Sequence, residues 1–205
     1  MTSFKTEQEN FWAGSFGDEY NNRNSDQALI EGNFNFFSEL FAKIDKVKFL
    51  IEFGANIGLN LIAIKKIVPD IDLAAIEIND QAVAALEKID NLKIYHQSIL
   101  DFKPERAYDC VLIKTVLIHI NPEKLPQVYD LLYQSSKKYI CLAEYYNPAP
   151  TVVEYRGNHN RLFKRDFAGE MLDKFPDLEL IDYGFKYHRD KKYYDDLNWF
   201  ILKKC

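Results

Sequence analysis

Phe49 to Gly58 reads FLIEFGANIG. A short apolar run ends in an acid, a glycine follows, and a second glycine comes four residues later. A near-continuous apolar run is the signature of a parallel strand buried on both faces. It stops at a glycine turn, after which Leu59 to Val68 carries apolar residues at helical spacing. Strand, glycine turn and helix N-terminus together form the place where an α/β protein docks a nucleotide-like ligand.

Downstream of this turn the pattern repeats. Strands are expected over 72–77, 92–95, 108–114 and 139–144, with a helix over 79–89. A further helix starts with Asn121 as N-cap and Pro122 at the first helical position, and runs to about Ser136. Strands alternating with helices indicate a parallel sheet with helices on both faces. The end of the chain breaks this rhythm. After a helix over 166–175, two strands over 180–187 and 197–202 follow each other directly, joined by the charged turn HRDKKYYDD. Adjacent strands with no helix between them form an antiparallel hairpin. The expected architecture is therefore α/β, with a seven-stranded, mostly parallel sheet and a C-terminal antiparallel hairpin.

Upstream, Ile30, Phe34, Phe37, Phe41 and Ile44 fall on one helical face within 27–44. Residues 4–24 contain FWAGSFGDEYNNRN, too irregular for a core helix. The chain reads as one domain over 1–205, with a helical cap over 1–45 and a Rossmann-like core over 46–205.

The composition agrees with one soluble domain: 205 residues, 47% apolar and 28% charged. No apolar run approaches a membrane span, and MTSFKTEQEN lacks the features of a secretion signal. Net charge is −5, which argues against a general grip on nucleic acid or an anionic membrane surface. Cys110, Cys141 and Cys205 form neither a disulfide framework nor a zinc pattern. Cys110 and Cys141 fall in strands and read as core thiols, which suits a reducing cytoplasm.

The turn supplies Glu52, Gly54, Asn56 and Gly58. Glycine permits a sharp bend and close approach to a ligand, and Asn tolerates left-handed backbone angles better than most residues. The dinucleotide fingerprint G-x-G-x-x-G is absent, so the ligand wanted here carries no pyrophosphate. Glu77 ends the second strand in AAIEIND, followed by Ile78, where an acid can accept hydrogen bonds from ribose hydroxyls. The doubly wound sheet closing in a hairpin, together with this turn, resembles the class I S-adenosylmethionine (SAM)-dependent methyltransferases from about Phe34 onward. Their signature is E-x-G-x-G-x-G, with Asn56 replacing its middle glycine. The resemblance implies SAM as cofactor. It also implies that Ser98 or Asp101, with Ile99, faces the adenine, and that Lys114 and Thr115 lie beneath the sulfonium.

Methyl transfer is an in-line displacement from an activated donor, so the protein chiefly orients and desolvates. His119, in VLIHINPE ahead of a helix, is the candidate base; the alternative is a structural histidine bonded to nearby backbone. Glu144, Tyr145, Tyr146 and Asn147 follow the fifth strand and bind substrate or close the loop. EYRGNHNRLFKRDF places Arg156, His159, Arg161, Lys164 and Arg165 within ten residues, where an anionic substrate is held or where local acids pair with them. Trp12, Tyr20 and Arg23 are expected to fold over the cofactor, with Arg23 opposite its carboxylate.

FWAGSFGDEY…RN, EFGANIGLN, VLIHINPE, AEYYNP and EYRG…LFKRDFAGE together resemble the pseudaminic acid biosynthesis-associated methylases. That resemblance implies methylation of a nonulosonic acid or related sugar, an anionic small-molecule substrate. Two other readings stand beside it: a noncatalytic protein that keeps the fold, and a nicotinamide-dependent oxidoreductase. The acceptor atom and the oligomeric state are open. No compact cluster of His and acids points to a metal.

Overall fold

The computed structural model describes residues 4–24, 26–190, 192 and 195–205. Of the turn HRDKKYYDD, Lys191, Tyr193 and Tyr194 lie outside the described residues. Seven strands form one sheet in the order β3-β2-β1-β4-β5-β9-β8. Their ranges are β1 Phe49–Phe53, β2 Asp72–Glu77, β3 Leu92–His96, β4 Tyr108–Lys114, β5 Ser136–Glu144, β8 Leu178–Lys186 and β9 Leu197–Lys204. β1 to β5 run parallel, and β9 enters antiparallel between β5 and β8. This is the α/β architecture, a seven-stranded, mostly parallel sheet with a C-terminal antiparallel pair, expected from the alternation and the terminal hairpin.

The apolar runs are explained by two-sided burial. Leu50 faces α3 Gln27–Phe41 and α4 Leu59–Ile67, while Ile51 faces α6 Leu125–Ser135 and α7 Phe167–Lys174. Leu50, Ile51 and Phe53 are all fully buried. Burying each such side chain is worth about 1.5–3 kcal/mol, so the central strands are fixed by their neighbours on both faces. α3 places Phe36, Phe37 and Leu40 in the same core layer as Leu61 and Ile64 of α4. It therefore belongs to the core rather than to the cap. Cys110 and Cys141 are free, buried thiols on adjacent strands, with sulfurs 3.6 Å apart. Among the described residues no helix is long and apolar enough to cross a membrane.

The structure gives form to two regions for which the sequence reading set no element bounds. Residues 4–24 hold two helices, α1 Glu7–Ala13 and α2 Ser15–Arg23, joined at Gly14. Their apolar residues are few because they bury polar side chains against the sheet's loops, not a stripe against the core. EYRGNHNRLFKRDF is a hairpin, not a loop: β6 Thr151–Tyr155 pairs antiparallel with β7 Asn158–Lys164. Arg156 and Gly157 form its two-residue turn, both at positive φ (50° and 77°). That is the backbone of a tight turn matched to strand twist.

Candidate active site

The chain winds outward from β1 to β2 and β3, then returns to place β4 on the other side of β1. Strand order thus reverses between β1 and β4, and open α/β sheets bind ligands outside the carboxyl ends at this switch point. A cavity of about 300 Å³ lies there, enough for one small ligand. Its wall takes Gly54 and Asn56 after β1, Glu77 and Ile78 at the end of β2, Ser98 and Ile99 after β3, and Lys114 and Thr115 at the end of β4.

The turn after β1 needs its residue types. Gly54, Asn56 and Gly58 have φ of 74°, 50° and 82°. Asn56 takes the left-handed angle, and its side-chain amide reaches up to Asn21 Oδ1 of α2. Gly58 lies behind the wall, where an added Cβ would strike Leu86 and Ile89. Thr115 has a φ of 54°. For a β-branched residue this is a strained angle, costing about 1–3 kcal/mol of a kind that collects at functional sites.

At the β2–β3 end, Glu77 accepts backbone N–H bonds from Asn56 (2.7 Å), Ile78 (2.8 Å) and Asn79 (2.9 Å). A carboxylate offers about four acceptor sites, so one is left for a ligand hydroxyl, not the two expected. Burial pushes the Glu77 carboxyl up, and the three N–H bonds oppose it. Ser98 donates its hydroxyl to Glu9 Oε1 of α1 and accepts from the Leu100 N–H. Asp101 is turned outward and pairs with Lys5. Glu9, not Asp101, is the acid beside Ser98 in the cavity wall.

The same loops are tied to the cap. Asn79 accepts from Asn21 (2.9 Å) and donates to Asp18 (2.8 Å). Gln8 donates to the Asn160 carbonyl of β7 (3.0 Å) and accepts from Asn121 (3.3 Å). α1 and α2 therefore roof the cavity through side-chain hydrogen bonds.

At the β4–β5 end, four ionisable groups surround one another. Glu52 is fully buried; Oε1 accepts from Asn60 (2.6 Å) and Oε2 has no partner. Burial pushes its carboxyl up to about 8. Glu144 is likewise pushed up by burial to about 8, although it accepts the N–H groups of Val116, Leu117 and Ile118. Lys114, in the wall between them, is lowered by burial, against the charges of Asp195, Glu52 and Glu144. Asp195, from the turn before β9, also lines the cavity. The Tyr145 hydroxyl donates to both of its oxygens, at 3.0 and 2.8 Å. Tyr20 of α2 lines the wall close enough to feel Tyr155 and Asp195, and burial pushes its phenol up to about 12.

His119 reaches the wall from a turn over Leu117–His119. Its ring lies 4.5 Å from that of Trp12 and 5.0 Å from that of Tyr155. Nδ1 sits 2.6 Å from the Arg161 carbonyl. A carbonyl only accepts, so Nδ1 carries the proton and Nε2 the lone pair. Burial pushes the imidazole down to about 4, so the ring is neutral near pH 7.

Several expected site residues stand elsewhere. Arg23 pairs with Glu19 (3.3 Å) and lies over the Phe16 ring. Arg161 bonds Glu7 (3.2 Å) and covers Phe11, joining β7 to α1. His159 is exposed beside Glu154, and Arg156 is exposed in the hairpin turn. None of these four side chains lines the cavity, and Arg161 packs on the cap instead. Tyr145 acts behind the wall through Asp195, and Asn147 closes its own loop by bonding the Ala149 carbonyl and Thr151. The sequence reading missed Asp195, Glu9, Asn21 and Asn79. Thr6-x-x-Glu9 is a capping-box sequence that marks the start of α1, where the Thr6 hydroxyl accepts from the Glu9 N–H and donates to the Glu9 carboxylate; Asp195 had no signal beyond its place in a charged turn.

Neither a protein-family profile nor any curated protein matches the sequence. Solved structures do match in shape. A 1,6-didemethyltoxoflavin-N1-methyltransferase from Burkholderia thailandensis, with its substrate and S-adenosylhomocysteine (SAH) bound, superposes with a TM-score of 0.71. It is 10% identical, over 96% of this chain and 86% of that one. Magnesium protoporphyrin IX methyltransferase from Synechocystis PCC 6803 with bound SAM gives 0.67 at 12% identity, covering all of both chains. A plantazolicin methyltransferase in complex with SAH gives 0.66 at 15% identity, covering 96% of this chain and 93% of that chain. The fold is that of the class I methyltransferases. At these identities the likeness carries the architecture and leaves the chemistry to the cavity's own residues.

Proposed function

We propose that the protein is a SAM-dependent methyltransferase acting on a small polar acceptor. The observation that carries this reading is the switch-point cavity, with Glu77 at one end and Lys114 at the other, and Glu52 buried behind Asn60 of its wall. The residues fit an adenosyl amino acid. Glu77 keeps one acceptor site for a ribose hydroxyl, and Ile78, Ile99 and Leu100 give apolar surface for a purine. Glu52 Oε2 is an orphaned acceptor that suits an α-ammonium group. Lys114 Nζ, which makes no hydrogen bond or ion pair among the described residues, suits a carboxylate. The turn FGANIGLN lacks the G-x-G-x-x-G spacing that brings a pyrophosphate onto backbone N–H groups and a helix N-terminus, which disfavours a dinucleotide.

When bound, SAM supplies a methyl group on a sulfonium, already activated for displacement. The protein's part is to hold the acceptor in line, to exclude water and to manage a proton. His119, neutral with Nε2 carrying its lone pair, suits a hydrogen-bond acceptor better than a proton store. The acceptor within this reading is a nonulosonic acid or related sugar derivative. Asp195 and Tyr20 support it as partners for its hydroxyls. The reduced thiols Cys110 and Cys141 suit a cytoplasmic setting.

Calorimetry decides between ligands. SAH is expected to bind at micromolar concentrations and NADH not at all, with Glu77→Gln weakening SAH by about tenfold, one charged hydrogen bond's worth. Binding of NADH with no heat from SAH overturns the reading.

A further inference from the structure

Asp195 is the residue of the cavity whose part in the transfer step the reading above leaves undefined. It comes from the turn before β9, yet reaches the carboxyl ends of β4 and β5. Both of its oxygens accept from one hydroxyl, that of Tyr145, which follows β5 directly. A carboxylate gripped symmetrically by one donor is held in orientation but keeps acceptor sites on both oxygens. Lys114 lies beside it as a balancing cation, and Tyr20 closes the same corner from the cap. Burial raises its carboxyl, while Tyr145 and Lys114 act in the opposite sense.

Position then assigns a role. A ligand anchored at Glu77 on β2 and across the β1 turn has its nucleoside on the β2–β3 side. Its far end meets β4, so the next groups encountered are Lys114, Thr115 and Asp195. His119 lies in the same wall, but its weakly basic ring is locked by the Arg161 carbonyl and the Trp12 face. Asp195 is the anionic acceptor on the side where a nucleophile has to approach.

We infer that Asp195, oriented by Tyr145, is the carboxylate that faces the transferred methyl group and binds the acceptor's nucleophilic O–H or N–H. This deepens the methyltransferase reading and rests on it. As the bond from acceptor atom to methyl carbon forms and the carbon–sulfur bond breaks, sulfur keeps the electron pair. The acceptor's proton passes to the Asp195 carboxylate. Tyr145 is a positioning residue for that carboxylate.

The test needs no knowledge of the acceptor. Sinefungin replaces the methylated sulfonium of SAM by a carbon bearing an ammonium group, so its amine occupies the methyl position, whereas SAH has nothing there. Both are titrated by calorimetry into the full-length protein, its Asp195→Asn variant and its Tyr145→Phe variant. The expected result is at least a tenfold loss of sinefungin affinity in Asp195→Asn with SAH affinity changed less than twofold. Tyr145→Phe is expected to lose a smaller part of the sinefungin affinity and to keep SAH. Unchanged SAH binding also reports that each variant folds. Equal losses for both ligands, or no loss for either, overturn the assignment of Asp195 while leaving the cofactor reading intact. A wild-type protein that binds neither ligand overturns both.

Discussion

Glu52 carries opposite demands in one side chain. Its Oε2 is buried without a partner, and burial holds its carboxyl protonated up to about pH 8. The folded state thus binds a proton more tightly than the unfolded chain, whose carboxyl titrates near the ordinary value of 4.5. Between those pH values the folded state loses stability as pH rises, at up to ~1.4 kcal/mol per pH unit. Glu52→Gln removes that loss. Thermal melts are expected to show the variant and the wild type close together near pH 4.5, with the variant more stable at pH 8 by several degrees. A stability difference that does not grow with pH would contradict this account of the buried acid. Little of this was legible beforehand: FLIEFGANIG places Glu52 at the strand end, but not which of its oxygens is left over.

At the scale of elements, the cap behaves as a roof held by polar side chains. Gly17 of α2 shows how close it sits, since an added Cβ would lie 2.0 Å from the Trp12 carbonyl oxygen and 2.9 Å from Asn79 Nδ2. Gly to Ala inside a helix ordinarily gains about 1 kcal/mol. Here Gly17→Ala is expected to push α2 off the Asn79 loop and weaken SAH at least tenfold, with faster hydrogen exchange in α1 and α2. The sheet should melt as before. A more stable variant with unchanged SAH affinity would show that α2 does not press on the ligand loops. A helical cap was legible in the sequence, but the bounds of these two helices were not, because their contacts are Asn–Asn and Glu–Ser bonds across long chain separations, which leave no apolar period. β6 and β7 were hidden differently. Their turn is Arg156-Gly157, not the Asn-Gly that most plainly marks a hairpin, and the basic residues around it drew attention to charge. Once paired, those residues serve packing: Arg161 holds α1, and only His159 and Arg156 stay outside.

Across the whole molecule, the sheet was legible because its strands are buried on two faces and so write unbroken apolar runs. The order β3-β2-β1-β4-β5-β9-β8 puts the switch point between β1 and β4, directly over the glycine turn that marked the site at the start. Tyr20, Asn56, Glu77, Ser98, Lys114 and His119 converge on that cavity although they span a hundred residues of chain. What the chain order conceals is the contribution of its end. The antiparallel entry of β9 carries Asp195 back to the ends of β4 and β5, a closure that depends on tertiary pairing rather than on any local motif.

A crystal structure grown with SAH tests the central claim most directly. The account predicts the ribose on Glu77, the purine beside Ile99, and the amino acid end between Glu52 and Lys114. A cavity left empty in those crystals, or SAH bound with its ribose away from Glu77, would contradict it.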